Sequence, residues 1–100
     1  MRQQSIDPEE RLPFNFDDHP HVEIKNGGPD DVDVFIEYNP GTNGAQHWVS
    51  AIKADNANKV SQTIHLEAGA SCIVSKLDLV TTHAEIRVSG NQNGVSVVYD

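Results

Sequence analysis

From residue 22 to its end, the chain alternates apolar and polar residues in short runs. Val22 and Ile24 point to one side of an extended segment, Glu23 and Lys25 to the other. Val32, Val34, Ile36 and Tyr38 form one face of the next run, with Asp33, Phe35 and Glu37 opposite. Residues 47–53 put Trp48 and Ile52 on one side and Val49 and Ala51 on the other. Val60, Ile64 and Leu66 alternate with Ser61, Thr63 and His65, and a fifth run surrounds Cys72, Ile73 and Val74. Ala84, Ile86 and Val88 mark the sixth, and Val95, Val97 and Tyr99 the seventh. A period of two belongs to half-buried strands, and no long stretch carries a helical repeat.

Turn chemistry separates the runs. Asn26-Gly27-Gly28-Pro29-Asp30-Asp31 reads as a tight reversal, Asn39-Pro40-Gly41-Thr42-Asn43-Gly44 as a loop, and residues 55–59 as a polar turn. Glu67-Ala68-Gly69-Ala70 turns the chain again, and Gly90-Asn91-Gln92-Asn93-Gly94 reads as a hairpin loop. Residues 76–80 suit either an extension of the fifth strand or a brief helical turn.

About seven short strands with regular turn signals predict an all-β fold. The expected form is a single small antiparallel β-sandwich, immunoglobulin-like or jelly-roll-like, with a small β-barrel as the alternative. Its inner faces are expected to hold Val34, Ile36, Trp48, Ile64, Ile86, Val88, Val95 and Val97. A length of 100 residues suits one domain. The pattern divides it into an extended N-terminal arm over residues 1–21 and a sandwich domain over residues 22–100. Within the arm, Asp7-Pro8-Glu9-Glu10 carries the signals of a helix start, which Leu12-Pro13 stops. Leu12, Phe14 and Phe16 then share one side of an extended segment, and these three are the predicted partner-binding residues. In that reading the arm adds to a neighbouring subunit; the competing expectation is that it folds back over a sheet of its own molecule.

Charge and chemistry narrow the function. Fifteen acidic and seven basic side chains give a net charge of −8, which repels phosphate backbones and makes nucleic acid and anionic membranes poor partners. Cys72 is the only cysteine, so no internal disulfide forms. Residues 1–16 lack the apolar centre of an export signal, and no run approaches a membrane span, which points to synthesis in a reducing cytoplasm. No nucleophile elbow, phosphate loop or dinucleotide fingerprint occurs. Cys72 lies among strand residues and reads as core filler. His47, His65 and His83 fall on polar strand faces. No catalytic residue and no cofactor are therefore expected.

Two clusters have the donors of a metal site. Asp17, Asp18, His19 and His21 combine carboxylates with two imidazoles, and Asp30, Asp31 and Asp33 sit beside a glycine-rich turn. An ordinary hinge and an Asx turn explain the same residues, so Asp17, His19, His21, Asp31 and Asp33 rank as metal candidates only, with no metal expected. Sugar recognition by a sandwich needs outward-facing aromatic rings. Trp48, Tyr38 and Tyr99 fall on the faces assigned to the core, which leaves Phe35 alone outside.

In outline this short, disulfide-free, strand-rich chain with a terminal arm resembles the small accessory β-sandwich proteins of virus particles, such as head decoration or cement subunits. The resemblance covers the architecture of the whole chain and rests on no single motif. It implies a non-enzymatic structural subunit that docks on a larger protein assembly, its own oligomer or a capsid-like lattice, and is incorporated into a virion. Acidic Glu9, Glu10, Asp17 and Asp18 would favour a basic or cation-bridged acceptor surface. The alternative is a carbohydrate- or calcium-binding β-sandwich module, with a small ligand ranked below a protein partner.

Overall fold

Among the described residues the chain forms nine strands, two of them drawn from the expected arm. The computed structural model of the chain describes residues 2–41, 47–53, 63–89 and 93–100. The strands are β1 (Arg2–Ile6), β2 (Arg11–Asn15), β3 (His21–Lys25), β4 (Val32–Tyr38), β5 (Val49–Ser50), β6 (Ile64–Leu66), β7 (Ser71–Ser75), β8 (His83–Val88) and β9 (Val95–Tyr99). One sheet has the order β1-β9-β3-β7. The second runs β2-β8-β4, with β5 and β6 sharing the remaining side of β4. Every pairing is antiparallel.

The pairings nest. β1 lies on β9, β2 on β8, β3 on β7, and β4 on β5 and β6. A ribbon folded in half and wrapped into two packed sheets gives this order, so the sandwich is a jelly roll. Of the expected inner-face residues, Val34, Ile36, Ile86, Val88, Val95 and Val97 are buried and Ile64 is half-buried. Trp48 is on the outside, as described below.

The division at residue 21 does not survive. β1 pairs along the whole of β9, from Arg2 opposite Tyr99 to Ile6 opposite Val95. β2 pairs with β8 from Arg11 opposite Arg87 to Asn15 opposite His83. Ile6, Phe14 and Phe16 are buried in the common core, and Leu12 packs against it. The Phe14 and Phe16 ring centroids lie 4.7 Å apart. Burying each ring contributes about 1.5–3 kcal/mol, far more in the chain's own core than in an arm waiting for a partner. Leu12, Phe14 and Phe16 are thus packing residues of this molecule, not a free docking surface.

Loop chemistry marks where strands end but does not set the geometry of the connection. β8 and β9 belong to different sheets, so no hairpin joins them, and residues 90–92 lie outside the described residues. The 26–31 loop likewise crosses from β3 in one sheet to β4 in the other. Residues 42–44 of the second loop, the polar turn at 55–59, and Val60 and Ser61 of the fourth run also lie outside the described residues. Residues 7–10 form a turn and not a helix start, with Glu10 N–H donating to the Asp7 carbonyl at 3.0 Å. Residues 67–70 form a similar turn, closed by Ala70 N–H to the Glu67 carbonyl at 2.8 Å. After β7 the chain takes the helical alternative: a 3₁₀ turn over Lys76–Asp78, capped by Ser75.

Candidate functional site

The outer face of the second sheet gathers most of the chain's paired charge. Alternation sends Arg11, Pro13 and Asn15 of β2 to the side opposite Phe14, and register sets them beside Arg87, Glu85 and His83 of β8. The same rule brings Phe35 and Glu37 of β4 next to Arg87 and Glu85. Glu37 is the centre. Its Oε1 accepts from Arg11 Nη1 at 3.2 Å and from Arg87 Nε at 3.1 Å. Arg11 Nη1 also lies 3.6 Å from Glu85 Oε2, and Arg87 Nη1 lies 3.6 Å from Glu9 Oε2. The Glu37 side chain keeps only 14% of its exposure, so this pairing is far less screened than one at the open surface.

Each arginine also covers a ring. The Arg87 guanidinium sits 4.2 Å from the Phe35 ring centroid, and that of Arg11 sits 3.9 Å from the Trp48 ring centroid. Trp48 was expected in the core and is not there. Val49 pairs with Tyr38 and Ser50 with Glu37, and the residue before Val49 therefore faces outward. A strand of two residues gives too little sequence to fix that phase.

Beside Trp48 runs an open groove of about 580 Å³. Pro13, Phe14 and Asn15 line it from β2, His83, Ala84 and Glu85 from β8, and Tyr38, Asn39, Trp48 and Thr81 complete it. Glu85 Oε2 is shut from solvent and accepts no hydrogen bond from the described residues. Its nearest cation, Arg11, is beyond hydrogen-bond reach.

The predicted metal candidates are placed apart. Asp17 pairs with Lys76 Nζ at 2.6 Å, and that hydrogen bond holds its carboxyl below the usual range. The His19 ring packs between Phe14 and Tyr99, with centroid distances of 5.4 and 4.9 Å, and its Nδ1 has no hydrogen-bond partner among the described residues. His21 begins β3 and is exposed. Asp31 and Asp33 instead flank an imidazole: His65 Nδ1 lies 2.9 Å from Asp33 Oδ1 and Nε2 lies 3.5 Å from Asp31 Oδ2. The Asp33 hydrogen bond raises the His65 pKa above its ordinary value. No group of three or more His, Cys, Asp or Glu among the described residues is arranged to hold a metal ion. Cys72 is half-buried, and burial together with the Glu23 carboxylate pushes its thiol up. The thiol is a poor nucleophile at neutral pH.

A second surface lies at the rim of the first sheet. Among the described residues β7 pairs with β3 alone, so its other side is an edge. Ile73 on this strand is 65% exposed, and Leu77 and Val80 just after it are 80% and 55% exposed. Sequence reasoning missed this patch because Ile73 sits among residues that read as core.

Among the described residues no helix is long and apolar enough to cross a membrane. The fold and its surfaces define a single antiparallel jelly roll with one charged, grooved face and one uncharged edge. No protein-family model, curated protein or solved structure matches this chain.

Proposed function

We propose that the chain is a non-enzymatic structural subunit that enters a larger protein assembly by adding its β7 edge to β7 of a second copy. The observation that carries this reading is the contrast between the edges. Proteins protect open edges with charges, proline or brevity, because unpaired N–H and C=O groups recruit other strands. β2 carries Arg11 and Pro13, β1 carries Arg2, and β5 and β6 are two and three residues long. β7 has none of these devices: it reads Ser-Cys-Ile-Val-Ser, uncharged and centred on exposed Ile73.

That sequence is nearly symmetric about Ile73. An antiparallel two-fold pairing would set Ile73 against Ile73, Cys72 against Val74 and Ser71 against Ser75, which is the self-complementarity an isologous contact requires. Leu77, exposed in the turn that follows the strand, would add to the apolar surface. The docking surface is thus moved from the N-terminal segment, whose rings are consumed in the core, to a sheet edge. The setting we propose is a virus particle, which the outline resembles; jelly rolls are a fold of viral coats.

The test is the mass of the full chain by sedimentation over a range of concentrations. A dimer or larger assembly is expected, with a melting temperature that rises with concentration. Ile73→Lys should give a folded monomer whose melting temperature no longer depends on concentration. A wild-type chain that stays monomeric throughout, or an Ile73→Lys variant that still associates, sinks the proposal.

A further inference from the structure

We infer that the groove beside Trp48 binds a neutral oligosaccharide. The groove lies on the second sheet and the β7 edge on the first, so this site stands or falls independently of assembly. Its volume of about 580 Å³ falls in the range of about 300–1,000 Å³ typical of ligand sites.

The lining selects the chemistry. No lysine or arginine is among its described lining residues, whereas Glu85 and His83 are. The two nearby guanidinium groups already face carboxylates: Arg11 those of Glu37 and Glu85, and Arg87 those of Glu37 and Glu9. An anionic ligand would meet the Glu85 carboxylate with no uncommitted cation among the described lining residues to offset it. A purely apolar ligand would desolvate that carboxylate and the amides of Asn15 and Asn39 without replacing their hydrogen bonds.

A sugar answers both demands. Its hydroxyls donate and accept, which matches side-chain amides, an imidazole, a carboxylate and the Tyr38 phenol. Its C–H faces are weakly positive and pack on the negative face of an aromatic ring such as that of Trp48. Arg11, stacked on the indole, holds Trp48 in place over the sheet, so the platform is formed before any ligand arrives. Only the outward phase of Trp48 makes this reading available, since a core tryptophan offers no platform.

Trp48 is the only tryptophan in the chain, so its emission reports on the groove. The full chain is titrated with neutral hexasaccharides of glucose, of mannose and of N-acetylglucosamine, beside a sulfated oligosaccharide and an uncharged peptide. A saturable change with at least one neutral sugar is expected, and Glu85→Gln and His83→Ala should each weaken it about tenfold. His83 is exposed, so its replacement leaves folding intact and keeps the test valid if Glu85→Gln is unstable. The inference is overturned by no saturation with any neutral sugar up to about 10 mM, well beyond a weak millimolar site. It is equally overturned by a response confined to the sulfated sugar or the peptide, or by binding that neither substitution alters.

Discussion

Asn93 Nδ2 donates a 2.8 Å hydrogen bond to Asn26 Oδ1, joining the segment ahead of β9 to the loop between β3 and β4. Asn26 is 1% exposed and fully satisfied. Its Nδ2 donates to the carbonyls of Asp30 and Leu66 at 2.8 and 3.0 Å, and its Oδ1 also accepts from Gly28 N–H at 3.2 Å. Its own N–H and carbonyl are bonded to Ala70 and Gly69. One side chain thus ties three crossings between the sheets. Asn26→Ala strands several buried partners at once and should lower stability by about 2–3 kcal/mol. Asn93→Ala, at the rim of the same network, should cost about 1 kcal/mol. Urea unfolding with an unchanged m-value measures both. Equal costs for the two substitutions would contradict the central place given to Asn26.

The similar turns at residues 7–10 and 67–70, each crossing from one sheet to the other, differ at their third residue. Gly69 has φ +83°, where glycine is unstrained, but Glu9 has φ +67°, where a Cβ crowds the backbone. Among the described residues, the only side-chain ion pair of Glu9 is a 3.6 Å contact with Arg87 from a largely exposed position. Such pairs contribute little. Glu9→Gly should therefore stabilise the protein by about 0.5–1 kcal/mol despite its added unfolded-state entropy. Thermal melts of the single variant decide the sign, and a loss of stability would mean that the Arg87 contact outweighs the strain.

Glu37 holds two guanidinium groups on one oxygen, and removing it takes that shared acceptor from Arg11 and Arg87. Glu37→Gln keeps the shape and removes the charge. It should cost about 1.5–3 kcal/mol, the range for hydrogen bonds to charged groups. Arg87→Met in the Glu37→Gln background should cost much less than in the wild type, because the two residues share one interaction. Chemical denaturation of the four-member cycle measures the coupling, and additive losses would remove Glu37 from its central role.

How much of this was legible in the sequence depends on which distances each feature spans. Val34 with Ile36, Ile86 with Val88, and Val95 with Val97 are two residues apart, so alternation alone placed them inside. β1 was hidden because Gln3, Gln4 and Ser5 are exposed on an edge strand and show no apolar face. The period of Leu12, Phe14 and Phe16 was legible, but a period names a strand and not the molecule that strand pairs with. The Arg11–Glu37–Arg87 network joins positions 26 and 50 residues apart, and only sheet register brings them together. Loop residues such as those at 26–31 have the same chemistry whether the chain turns within a sheet or crosses to the other, which is why crossings were read as reversals.

The clasp on His65 makes stability depend on pH. Asp33 and Asp31 face its two ring nitrogens, and an imidazolium donates to both where a neutral ring donates to one. The hydrogen bond to Asp33 is the main cause of the raised pKa, and the charges of Asp33 and Asp31 add to it. A group whose folded pKa is raised contributes fully below its unfolded value, near 6.5 for histidine, and loses that contribution as pH climbs through the folded value. The protein should therefore melt lower at about pH 8 than at about pH 6, with the difference shrinking in high salt. His65→Gln and Asp33→Asn should each flatten this slope while leaving the acid side of the profile, where Asp17 and Lys76 act, in place. The His65 ring protons, followed by NMR, should titrate above the ordinary histidine midpoint; a midpoint at or below it, or an unchanged slope in both variants, would show that the two carboxylates do not hold the imidazolium.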